Sequence, residues 1–149
     1  MDADYYEWLQ VHWKEILARD LSVCEQMILV SCRIKRDVVE QDPTEQGIRG
    51  ILNFGHTLGH AIEKLMHFHL LHGQCVALGS VAAAGLSAKR GEITMEEALQ
   101  IREVFFQFGL PVSIADFELS KEEIIAATKN DKKMDSGKIK FILLHRIGE

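Results

Sequence analysis

Apolar residues recur along this chain at steps of three and four, the spacing of one face of an α-helix. Tyr5, Trp8, Leu9, Ile16 and Leu17 predict an amphipathic helix from about Asp4 to Ala18, with Asp20 as the cap of the next. That second helix runs from about Leu21 to Glu40 and turns Val23, Met27, Val30, Ile34 and Val38 inward. Asp42-Pro43 ends it, because proline disfavours helix at the residue before it. A third helix is expected from Gln46 to about Met66, and a fourth, rich in alanine and other small residues, from His72 to Lys89. Thr94 with Glu97 reads as a capping box for a fifth helix reaching Phe108, stopped by Gly109-Leu-Pro111. Ser120 with Glu123 repeats the box for a sixth helix to about Lys129. Only the tail changes period. Lys138 to His145 is β-branched and partly alternating after an Asp135-Ser-Gly137 turn, which predicts one strand whose partner must come from elsewhere. The expected fold class is mainly α, with one short strand near the C-terminus.

The third helix carries the unusual chemistry. Laid out at about 100° per residue from Arg49, the residues Arg49, Asn53, His56 and His60 fall in one stripe, opposite an apolar face of Ile51, Phe54, Leu58, Ile62 and Leu65. A solvated face favours Glu, Lys and Gln, whereas Asn and His are mediocre helix formers and Gly55 and Gly59 each cost about 1 kcal/mol relative to alanine. Glycines four apart let another backbone approach, and a cleft is the expected result. His56 and His60, four apart, can share a metal, or one can bind metal while the other holds substrate. His67, His69 and His72 follow, the last at a helix start. A catalytic zinc takes three protein ligands and keeps one position open, so His56 and His72 need a third donor. His67, His69 and a carboxylate from outside the chain are the candidates. Lys35, Arg49 and the Asp131-Lys132-Lys133 run are basic groups suited to a phosphate or carboxylate.

Composition narrows the class. With 149 residues, 47% of them hydrophobic, the chain can bury a core and should fold as one unit. A net charge of -5 with interspersed signs argues against a nucleic-acid surface. No apolar run approaches the ~18 residues of a membrane span, and the first twenty residues resemble no targeting peptide, so a cytoplasmic location is expected. Cys24, Cys32 and Cys75 are odd in number and lack Cys-x-x-Cys spacing, which argues against a disulfide framework and a thiolate zinc knot and for buried thiols, with Cys75 a candidate functional thiol beside His72-Gly73.

The run Arg49-Gly-Ile-Leu-Asn-Phe-Gly-His-Thr-Leu-Gly-His-Ala-Ile-Glu63 closely resembles the motif of 3-dehydroquinate synthases and their sugar-phosphate cyclase relatives. His72-Gly-Gln-Cys-Val-Ala-Leu-Gly79, Asp131-Lys-Lys133, Gly137 and Phe141-Ile-Leu-Leu144 resemble further family segments, as do Ile34-Lys35 through Val39 and Asp42 to Glu45. The resemblance covers nearly the whole chain. It implies residues 1–149 as a helical metal- and substrate-binding C-terminal domain, acting with an N-terminal NAD-binding domain that this chain lacks. The implied reaction converts 3-deoxy-D-arabino-heptulosonate 7-phosphate to 3-dehydroquinate and phosphate in the shikimate pathway, with NAD as recycled oxidant and zinc or cobalt as the metal. The small-molecule partner is thus a phosphorylated sugar acid, and a homodimer is implied as well.

Carried over by position, His56 and His72 resemble the two metal histidines; Lys35, Arg49, Asn53 and His60 resemble groups that grip substrate, and one of Lys132 and Lys133 meets its phosphate or carboxylate. Gln74 departs from the family, which has Glu there, and the third metal ligand, a Glu, lies in a segment before this chain. The chain alone is therefore expected to be inactive. Two alternatives stand beside this reading: another sugar-phosphate cyclase or metal-dependent polyol dehydrogenase domain, and a non-catalytic packing or oligomerisation module.

Overall fold

A computed structural model describes residues 2–67, 69–129 and 139–149 of the chain. Contacts divide it into two compact units, the segment up to Leu52 together with His145–Glu149, and Asn53–Leu144.

The first unit contains α1 (Ala3–Val11), α2 (Trp13–Leu17) and α3 (Leu21–Gln41). Asp2 caps α1 by accepting the Tyr5 N–H at 2.8 Å. The single helix expected from Asp4 to Ala18 is broken at His12, whose ring packs on Trp8 with centroids 4.5 Å apart. No glycine or proline marks that break, so the periodicity runs through it unchanged. Asp20 caps α3 as expected, taking the Ser22 and Val23 N–H groups at 3.0 and 3.1 Å. Val23, Met27, Val30 and Ile34 are half-buried and Val38 is buried, the face that the spacing predicts. After α3 the Asp42 carboxylate accepts three backbone N–H groups, from Gln46, Gly47 and Arg49 at 2.8–3.0 Å. These bonds fold the loop and hold the Asp42 carboxyl below the usual carboxylate range, that from Gln46 foremost.

The expected helix from Gln46 to Met66 is two elements: a 3-10 helix at Ile48–Asn53, then α4 (His56–Leu65). Gly55 separates them with a left-handed backbone (φ 78°), a conformation glycine adopts without penalty. In the second unit α4 is followed by α5 (His72–Lys89), α6 (Met95–Gln107), a 3-10 turn at Ile114–Asp116 and α7 (Lys121–Lys129). The Thr94/Glu97 and Ser120/Glu123 boxes both form, with Thr94 Oγ1 accepting from Glu97 N at 3.1 Å and Ser120 Oγ from Glu123 N at 3.2 Å.

Helix α5 is the axis of this unit. Its small residues Ala77, Gly79, Ser80, Ala83, Ala84 and Ser87 are all buried, the pattern of a helix enclosed by neighbours rather than lying on a surface. Ala61 and Ile62 of α4, Cys75 and Leu78 of α5 and Ile124 of α7 form the core cluster, with Leu58, Leu65, Phe117 and Leu119 around it. Helices α4 and α5 run in opposite directions at backbone contact. A Cβ built on Gly59 would lie 3.1 Å from Val76 Cα, and one on Gly55 would lie 2.7 Å from the Ser80 nitrogen. The glycine pair thus seats a second helix directly, and α5 fills the place where a cleft was expected.

The fold is mainly α, as the periodicity implies. The strand expected over Lys138 to His145 is not formed among the described residues 139–144. That segment runs along the helices instead: Thr57 Oγ1 donates to the Lys140 carbonyl at 2.9 Å, and the Leu144 N–H donates to Ser87 Oγ at 3.0 Å. Side-chain hydroxyls serve backbone groups that a strand would pair with a ladder partner.

Candidate metal centre

Two helix starts build the site. His56 is the first residue of α4, just after the turn at Gly55, and His72 is the first residue of α5. At the second start Gln74 Oε1 accepts the Leu71 N–H at 2.9 Å, while the Gln74 N–H donates to the Leu71 carbonyl at the same distance. Gln74 therefore fixes the backbone from which His72 projects, a task its amide oxygen performs as a carboxylate would.

His60 stands one turn beyond His56, and Glu63 three residues further, so α4 presents all three on one side. The ring centroids lie 5.3 Å apart for His56 and His60, 5.4 Å for His56 and His72, and 5.7 Å for His60 and His72. One ligand nitrogen from each ring lies within 4.8 Å of the others, and the trio could hold a metal ion. The remaining nitrogens matter equally. His56 Nδ1 is 3.2 Å from the Phe54 carbonyl oxygen, which only accepts; the neutral ring therefore carries its proton there and offers Nε2 as ligand. His72 Nδ1 is 3.3 Å from both carboxylate oxygens of Glu63. His56 is half-buried while His60 and His72 are exposed, so the donors face open space that a small ligand can reach.

The other expected site residues are distributed differently. His67 and His69 are exposed in the connection between α4 and α5 and do not join the histidine group. The single stripe from Arg49 to His60 is not formed. At about 120° per residue in a 3-10 helix, Asn53 is turned about 120° from Arg49, and Gly55 then redirects the chain. Asn53 is half-buried and opens the second unit. Lys35 and Arg49 belong to the first unit: Lys35 is exposed on α3, and Arg49 Nη1 donates to the Pro43 carbonyl at 2.8 Å. Lys132 and Lys133 lie outside the described residues. Glu63 was missed by the sequence reading, although its place seven residues after His56 sets it on the same side of the helix.

Cys75 is fully buried in the core, and burial, reinforced by the Glu63 charge, pushes its thiol pKa up. It is core filler beside the site rather than a reactive group. In the folded protein a thiol reagent is expected to modify the exposed Cys32 and spare Cys75, which reacts only on unfolding; modification of Cys75 at the Cys32 rate would contradict its placement.

Among the described residues, no helix is long and apolar enough to cross a membrane. Residues 1–134 match the family model described as 3-dehydroquinate synthase C-terminal. Proteins named 3-dehydroquinate synthase from Nitrosomonas europaea and Dehalococcoides mccartyi are 43% identical over 149 residues and 42% over 147 residues, covering 99% of this chain. The relative from Nitrosospira multiformis is 40% identical over 148 residues. The chain spans only 40% of the length of each of these relatives. An alignment this extensive, carried through both helix starts that hold the histidines, places the chain in the 3-dehydroquinate synthase C-terminal family.

Proposed function

We propose that this chain is the metal- and substrate-binding part of a 3-dehydroquinate synthase, which turns 3-deoxy-D-arabino-heptulosonate 7-phosphate into 3-dehydroquinate and phosphate. The observation that carries the reading is the convergence of His56, His60 and His72, with the His56 and His72 rings each held at Nδ1. An imidazole donor set of this kind fits a borderline divalent ion, zinc or cobalt. Such an ion, when bound, polarises a substrate hydroxyl as a Lewis acid.

The chain's own residues supply holding and orientation. His56 and His72 present Nε2 to the ion. Asn53 and His60 bind the sugar's oxygens, Arg49 forms a fork on an anionic group, and Lys35 with Lys132 or Lys133 adds point charges. These substrate roles rest on the resemblance of the motifs. NAD belongs to a nucleotide-binding domain outside the present chain, and no residue here is assigned to it. A cytoplasmic location and a pairing of two copies belong to the same proposal.

His60 has a second reading with an observation in its favour. Its ligand atom is as much part of the 4.8 Å group as the other two, so it can complete a three-histidine site in place of an external carboxylate.

Product analysis tests the function. A protein joining this chain to its NAD-binding domain is expected to release 3-dehydroquinate and phosphate when given NAD and a divalent ion, and the chain alone neither. Oxidation of glycerol-like alcohols without dehydroquinate would instead make it a polyol dehydrogenase, and turnover by the chain alone would refute the need for a partner domain.

A further inference from the structure

Glu63 has no part in the roles assigned so far, yet its placement is specific. It projects from α4 between two groups that matter: His60 is three residues before it, and both its carboxylate oxygens lie 3.3 Å from His72 Nδ1. Its side chain is only 19% exposed, whereas that of His72 is 52% exposed, so the carboxylate is the anchored partner and the imidazole the one that needs anchoring. His72 sits on the first residue of its helix, with its ring projecting toward solvent. A carboxylate can only accept from a neutral imidazole, and it therefore selects the tautomer with the proton on Nδ1 and the lone pair on Nε2. An unrestrained imidazole in water favours the opposite tautomer, which would point an N–H at the ion.

We infer that Glu63 is a positioning residue that locks His72 in the Nδ1–H form and aims its Nε2 at the metal centre. The inference rests on the metal reading of the three histidines for its purpose, but the lock itself is a property of the chain without metal. Carboxylates in this relation to a ligand histidine typically govern metal affinity by about 10–100-fold.

The test uses two readouts on wild type, Glu63→Ala and Glu63→Gln. Long-range proton–nitrogen spectra of the metal-free chain, taken well above the ordinary imidazole pKa, report the tautomer of His72. Calorimetric titration with zinc or cobalt reports affinity. Wild type is expected to hold His72 as Nδ1–H; Glu63→Ala shifts it to Nε2–H and weakens metal binding by about 10–100-fold. Glu63→Gln keeps the shape but loses the charge, and falls between the two. The inference is overturned if Glu63→Ala leaves both the His72 tautomer and the affinity as in wild type. A wild type that binds neither ion would sink the metal reading by itself, while the tautomer spectra would still decide whether Glu63 sets the ring.

Discussion

Replacing His56 or His72 by alanine is expected to lower zinc affinity by more than about 100-fold in a calorimetric titration at neutral pH, with the helical circular dichroism unchanged. The size follows by comparison. Loss of a group that merely supports a ligand costs about 10–100-fold, so loss of the ligand itself must exceed that range. The fold should survive, because His72 is exposed and His56 half-buried, and neither belongs to the core cluster around Ile62, Cys75 and Leu78. His60→Ala decides between the two readings of that residue. A loss as large as that of the other two makes it the third ligand. A loss under about 10-fold, smaller than a supporting group produces, leaves it to the substrate and leaves the third position to a donor from elsewhere. Unchanged binding in both His56→Ala and His72→Ala would remove the metal centre from the account.

Gly79→Ala is expected to be among the most damaging single methyls in the second unit. A Cβ at Gly79 would fall on the Gly55 carbonyl oxygen and lie 2.8 Å from the Gly59 nitrogen. Both obstacles are backbone, so no side chain can swing aside, and relief requires α4 and α5 to separate. Overpacked cores typically lose about 1–3 kcal/mol, and a clash with backbone on both counts belongs at or above the top of that range. Urea denaturation should therefore show a destabilisation of about 3 kcal/mol or more. Metal affinity should fall with it, since His56 and His60 ride on α4 and His72 on α5. Gly73→Ala is the control: nothing lies within 4 Å of a Cβ there and alanine is the better helix former, so no loss is expected, and a loss as large as that at Gly79 would mean that interhelical contact does not explain the effect. A Gly79→Ala protein as stable as wild type would contradict the backbone contact between the two helices.

Much of this was legible in the sequence, for local reasons. The caps at Asp20, Thr94 and Ser120 were readable because a cap is decided by residues within one turn of it, and α3, α5 and α6 carried either a strong stripe or an alanine-rich run between clear stops. The histidine pair at His56 and His60 was readable because both lie in one regular helix. Errors arose where the backbone departs from a single helical period. The stripe from Arg49 assumed a helix that Gly55 interrupts, and a glycine inside an apolar pattern reads equally as a tolerated residue or a break. The reason for Gly55 and Gly59 was half visible: close approach of a backbone was expected, but only the fold reveals that the approaching element is α5 itself. The tail from Ile139 to Leu144 has strand-like composition, but its hydrogen bonds go to Thr57 and Ser87, contacts 83 and 57 residues apart in sequence that no local pattern encodes.

His56 and His72 are proposed to turn their Nε2 atoms to a common metal. Crystals of the chain soaked in zinc and measured at the zinc absorption edge test it directly. An anomalous peak is expected about 2.0–2.1 Å from Nε2 of both histidines, with Glu63 still against His72 Nδ1. A zinc ion held instead by His67 or His69, or none at Nε2 of His56 and His72, would contradict it.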